Sequence, residues 1–138
     1  MQFAGMNAWA IVAAAIVSFV FGAAWYGTLS KPWMAAIGKT EADIKNSGSP
    51  IPLYAMTLAA LVVMARVLAG VIGHLGPGQV TLRNGIISGG FAWVGFVATT
   101  LVVNHGFQGA PRKLTLIDGG HWLGVLLIQG AVIGAIGV

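Results

Sequence analysis

WVGFVATTLVVNHGFQGAPRKLTLIDGGHW, residues 93–122, gathers most of the polar side chains that stand among apolar neighbours in this chain. A run without charge passes from Trp93 through Thr99 and Thr100 to Asn104. A short basic loop turns at Pro111-Arg112-Lys113, and a second apolar run opens with Asp118 and His121. Two long apolar runs joined by a short basic loop read as two membrane helices back to back, because a spanning helix needs about 20 mostly apolar residues.

The rest of the chain repeats that pattern. Of 138 residues, 57% are hydrophobic and only 7% are charged, where a soluble domain carries about a quarter charged residues. A soluble fold of this length cannot hide so much apolar surface, so the bilayer is the expected solvent. Four runs qualify as spans: about 8–29, 51–75, 80–104 and 115–137. They leave little for a soluble domain, so residues 1–138 form one all-α integral membrane domain of four transmembrane helices with short loops. Helices are the default because spanning segments must satisfy their own backbone polar groups. Residues 1–7 contain no Lys or Arg, and the apolar run behind them exceeds an h-region of about 7–15 residues. The first run is therefore expected to be a retained span, not a signal peptide. With no Cys in the chain, disulfide and thiolate chemistry are excluded.

The loop after the first span is the longest. Pro32 suits a first helical turn, and Trp33, Met34 and Ile37 would share an apolar face, which predicts a short helix lying in the membrane interface. Thr40 with Asp43 has the spacing of a capping box. Lys31, Lys39, Lys45, Arg112 and Lys113 fall on the first and third loops, and Arg83 alone falls on the opposite side. By the positive-inside rule the first and third loops are cytoplasmic and both termini lie outside, in a cell inner (plasma) membrane. The basic residues form no tract, so nucleic acid is not an expected partner; membrane lipid is.

Glycines recur at packing spacing: Gly85 with Gly89, Gly120 with Gly124, and Gly130 with Gly134. Such pairs let backbones approach closely. Around the fourth span, Gly120, Gly124, Ala131 and Gly134 fall on a smooth side, and Asp118, His121, Val125 and Gln129 on a polar one. One side is expected to pack inside the bundle and the other to face a second subunit, which predicts a homo-oligomer.

Depth gathers the candidate site. Trp25, Tyr26, Thr100, Asn104, Asp118 and His121 all lie within about two helical turns of the face that carries the first and third loops. On the third span, Trp93, Phe96, Thr100 and Asn104 share a helical face. Asp118-x-x-His121 sets a carboxylate and an imidazole one turn apart, where they can touch and pass a proton near neutral pH. The plainer alternative is an acid that favours a helix N-terminus. A metal would need further ligands that the spacing does not offer, so no metal or cofactor is expected. Arg66 is deep in the second span, where a charge costs about 3 to over 10 kcal/mol. Arg66, Gln129 and Ser88 are expected at similar depth and could form a buried polar layer; the alternative is an arginine that snorkels outward. The aromatic residues at the span ends also suit an interfacial belt. No phosphate loop, Ser–His–Asp arrangement or carboxylate pair is present, so no catalytic residue is named.

The chain resembles a group of small four-span bacterial membrane proteins known as domain of unknown function 1761. The resemblance rests on Trp25-Tyr26-Gly27, Lys31-Pro32-Trp33 with Gly38 and Thr40-Glu41, Gly95-Phe96-Val97-Ala98-Thr99-Thr100, Asn104, Phe107, and Ile117-Asp118 with His121. It implies a four-helix inner-membrane protein and supplies no activity. Three functions compete. The first is an oligomeric transporter or channel for a small solute or protons, with its polar site at the cytoplasmic ends of helices one, three and four. The second is a non-transporting scaffold that binds lipid or a partner. The third is a membrane enzyme, which lacks a nucleophile. Small multidrug exporters of similar size use an acid inside helix one, and this helix one has none.

Overall fold

The structure is a computed structural model that describes residues 6–138, and among these no strand occurs. Helix α1 (Ala8–Thr28) is capped by Asn7, whose side chain accepts from the N–H groups of Trp9 and Ala10. Helix α2 (Ser30–Ile37) follows after one residue, takes Pro32 in its first turn, and stops at Gly38 in the left-handed conformation. Helix α3 (Glu41–Lys45) has the expected capping box: Asp43 N–H donates to the Thr40 hydroxyl, and Thr40 N–H to the Asp43 carboxylate. The Thr40 N–H, then its hydroxyl, holds the Asp43 carboxyl below the usual carboxylate range.

Helix α4 (Ile51–Gly73) carries Pro52 where no helical N–H partner is needed. Helices α5 (Leu82–Ala92) and α6 (Thr99–Gln108) are joined without a break by a π-helical segment, Trp93–Ala98. Helix α7 (Arg112–Ile136) completes the fold. Among the described residues, four helices are long and apolar enough to cross a membrane: α1, α4, the continuous Leu82–Gln108 rod, and α7. The third is longer than the 80–104 expectation at its far end and stops only at Gly109, whose φ of 65° costs a glycine little. The fourth begins at Arg112, ahead of the expected 115.

Buried alanines of α1 and α4 lie among larger core residues such as Leu61, Ile72 and Ile133, and many large side chains face outward. Ala10, Ala14 and Ala15 of α1 and Ala65 and Ala69 of α4 are buried, whereas Val20, Val63, Val67, Phe91, Val94, Phe96 and Val102 point outward. In lipid, burying a large apolar side chain gains little over leaving it among acyl chains, so close backbone packing and hydrogen bonds must hold the helices together. A soluble protein with this surface would aggregate.

Helix α7 packs against α1, α4 and α5. Along α5 it runs nearly backbone to backbone. A Cβ on Gly85 would strike the Gly130 carbonyl, one on Gly89 the Leu126 carbonyl, and one on Gly134 the Thr81 carbonyl. Along α1, Gly120 lies under Trp25 and Gly124 under Phe21. The glycines of α7 thus meet α1 on one side and α5 on the other within the same chain.

The π segment sets the facing of everything after it. One extra residue in a turn rotates the following helix by about 100°. Trp93, Val97, Leu101 and His105 then follow one another toward α7: Trp93 and Val97 pack on the core, Leu101 stands beside Gly119, and His105 reaches Thr115. Gly95 weakens the α preference here. The hydroxyls of Thr99 and Thr100 donate to the Gly95 and Phe96 carbonyls, satisfying oxygens of the widened turn that lipid could not.

Candidate functional site

Helices α1, α6 and α7 converge at one end of the bundle, and α2 packs there against α1 and α7. Tyr26, in the last turn of α1, donates its hydroxyl to Asp118 Oδ1 at 2.7 Å. From α6, His105 Nε2 approaches Asp118 Oδ2 at 4.0 Å. The side chains of His105 and Asp118 keep only 13% and 20% of their surface exposed. His105 Nδ1 lies 2.9 Å from the Thr115 hydroxyl; a hydroxyl that donates there leaves Nε2–H aimed toward the carboxylate.

Two tryptophans pin this turn of α7. Trp25 donates its indole N–H to the Ile117 carbonyl at 3.0 Å, and Trp93 donates to the Gly119 carbonyl at 2.9 Å. The two oxygens flank Asp118 in sequence, and the donors arrive from different helices. Each carbonyl has a second lone pair to offer besides its helical bond. The carboxylate is thereby held in place by groups that do not touch it.

His121 lies one turn deeper and is buried. Its ring stacks near-parallel with Phe21 at 6.2 Å and meets Tyr26 at 4.8 Å and Trp122 at 4.7 Å between centroids. Gly22 makes room for it, since a Cβ there would lie 2.8 Å from His121 Nε2. His121 Nδ1 is buried without a hydrogen-bond partner. The expected direct Asp118–His121 contact is not made. Asp118 turns to Tyr26 and His105, and His121 is held by aromatic rings. Trp33 of α2 closes the outer side with its edge against Tyr26, 5.8 Å between centroids.

Of the six expected site residues, Trp25, Tyr26, Asp118 and His121 come together here. Thr100 and Asn104 do not. Both are exposed, because the π segment turns them away from α7 and turns His105 toward it. His105, at the end of the third apolar run, was the missed member. Its only signal is the four-residue recurrence of Trp93, Val97, Leu101 and His105, which an α-helical reading passes over.

A second polar group lies deeper. Gln129 is 0% exposed and donates through Nε2 to the Ser18 hydroxyl and the Leu61 carbonyl, both at 3.1 Å. Ser18 in turn donates to the Ala14 and Ala15 carbonyls. The buried layer thus ties α1, α4 and α7 together. The expected layer of Arg66, Gln129 and Ser88 is corrected: Arg66 is exposed on α4, because α4 turns Leu61, Ala65, Leu68 and Ala69, not Arg66, to the core. Ser88 lines a groove of about 750 Å³ between α4 and α5 with Val71, Leu75, Asn84 and Phe91. Ser18 was legible as the one polar residue between Asn7 and Trp25 other than glycine.

Removing one hydrogen bond at the site has a bounded cost. Tyr26→Phe leaves Asp118 Oδ1 without its donor and keeps the ring against His121. We expect a loss of about 1–2 kcal/mol, read as a lowered unfolding midpoint in detergent. An unchanged midpoint would mean that the Tyr26–Asp118 bond holds nothing together.

Among the described residues, no three His, Cys, Asp or Glu side chains gather at metal-binding spacing. Comparison with curated proteins and with solved structures gives no match for this chain. A family model does match, over residues 9–134, with the motifs of the Asp118 end inside it. The residues that meet around Asp118 thus sit within a pattern covering nearly the whole chain, and the chain belongs to the family described as Protein of unknown function (DUF1761).

Proposed function

We propose that this protein is a sealed four-helix membrane bundle that binds a ligand at its Asp118 end and conducts no solute through its own interior. The observation that carries this reading is the contrast between core and end. Ser18, Val125, Gln129 and Ile133 are all 0% exposed across the middle of the bundle, while Asp118 at its end stays partly open. Asp118 Oδ2 and His105 Nε2 stand 4.0 Å apart, a distance that one bridging hydroxyl can span, accepting from Nε2–H and donating to the carboxylate. Tyr26 and Trp33 would face such a group with aromatic rings. A small hydroxylated solute or lipid headgroup fits this chemistry. The Lys and Arg bias supports an inner-membrane orientation with this end in the cytoplasm.

The second reading is a proton-coupled transporter or channel formed by several copies. What favours it is the titratable trio of Asp118, His105 and His121, with His121 Nδ1 buried and unpaired one turn deeper. Proton flux into proteoliposomes under an imposed potential separates the two. We expect no flux above empty vesicles for the parent and none for Asp118→Asn. Parent flux that vanishes in Asp118→Asn would overturn the sealed-bundle reading in favour of the second.

A further inference from the structure

Arg66 is exposed on α4, and among the described residues no hydrogen bond, ion pair or ring contact engages it. It lies about 10 Å from the Gly73 end of its helix and about 22 Å from the Ile51 end. The Cα–Cβ bond of a helical residue leans toward the helix N-terminus, here away from the nearer end, so the guanidinium starts out pointing into the hydrocarbon. Ala55, Ala59, Val62 and Val63 share its face by helical spacing and are exposed as well. A charge set in such a face is costly in lipid and marks a functional contact.

The chain has three acidic residues to offer a second copy. Glu41 pairs with Lys45 at 2.9 Å and Asp43 caps α3, both in the connection before α4. Asp118 lies about 9 Å in from the Arg112 end of α7, at the face opposite to Arg66. A copy in the same orientation therefore brings no carboxylate to the depth of Arg66. An inverted copy would, but the loop Lys and Arg bias opposes two orientations.

We propose that the outward face of α4 around Arg66 docks a membrane-spanning helix of another protein that carries an Asp or Glu at the depth of Arg66. The small side chains of Ala55 and Ala59 let such a helix come close, and the carboxylate pairs with the planar guanidinium. This inference is separate from the Asp118 end of the bundle.

A model helix tests it. A spanning Leu–Ala peptide with one Asp at the matching depth, and its twin with Leu in that place, are labelled and added to phosphatidylcholine vesicles holding the protein labelled through Ser49→Cys. Energy transfer then reads association. We expect the Asp peptide to associate with the parent about tenfold more tightly than its twin, to lose that preference with Arg66→Leu, and to keep part of it with Arg66→Lys. Equal association of the two peptides with the parent overturns the proposal, as does an Asp preference that survives Arg66→Leu. Transfer between protein copies that falls with Arg66→Leu would assign the face to self-association instead. No peptide preference, together with an Arg66-dependent preference for phosphatidylglycerol vesicles, would assign it to a lipid headgroup. Arg66 is exposed, so Arg66→Leu should fold; Arg66→Lys keeps the comparison valid if it does not.

Discussion

Gly130→Val is expected to lower the stability of the bundle by about 3 kcal/mol or more, at the upper end of what overpacking costs. A Cβ at this position meets the Gly85 carbonyl and the Ile86 amide, which are backbone atoms of α5 and cannot rotate aside as a side chain can. Helices α5 and α7 must separate to admit it. That separation loosens the contacts of Gly89 with Leu126 and of Gly134 with Thr81 together, since all lie along one seam. Against a typical folding stability of about 5–15 kcal/mol, the loss should show as a sharply lowered unfolding midpoint in detergent. Gly106→Val, where nothing lies within 4 Å of a Cβ, is the matched control and should change stability by less than about 1 kcal/mol, since Val is no poorer a helix former than Gly. Equal effects at the two positions would refute the close seam.

Deleting Val94 is expected to remove the π segment and yet leave the same residues facing α7 beyond it. Val94 points outward, so its own side chain removes little packing. Its loss removes the extra residue that the widened turn absorbs, so the six-residue π segment returns to α-helical winding and α6 keeps its rotation about its axis. His105 then still faces Thr115 and Asp118, and Asn104 stays outside. The chain has no cysteine, so paired substitutions report the facing cleanly. In the parent background, His105→Cys with Thr115→Cys should cross-link about tenfold faster than Asn104→Cys with Thr115→Cys, the ratio of a 1.4 kcal/mol preference. With Val94 deleted the order should hold. If the Asn104 pair leads after the deletion, the π segment does not absorb one extra residue, and Thr100 and Asn104 face outward for another reason.

These expectations divide by what a helix can know of itself. The four apolar runs, the Thr40 cap, the helix opened by Pro32, and the gathering of Trp25, Tyr26, Asp118 and His121 at one end were all legible in the chain. Run length, capping chemistry and depth are properties of a few consecutive residues, or of counting along an axis, and they do not depend on which neighbour a helix has.

Facing is another matter. In a soluble helix the polar side marks the outside, but in lipid both sides are apolar, and hydropathy does not distinguish the face against a neighbouring helix from the face against acyl chains. That is why Arg66 was expected within a layer it does not join, why the glycines of α7 did not name α1 and α5 as the helices they meet, and why Ser18 went unread as the partner of Gln129. His105 has a further reason. A π turn costs little locally and leaves no strong mark beyond Gly95, yet it rotates every later residue by a quarter turn or more. The helices and their ends are written locally in the chain. Which side chains meet around Asp118 is decided by the packing of α6 and α1 on α7, because only that packing makes a stretched turn at Trp93–Ala98 the lower-energy choice.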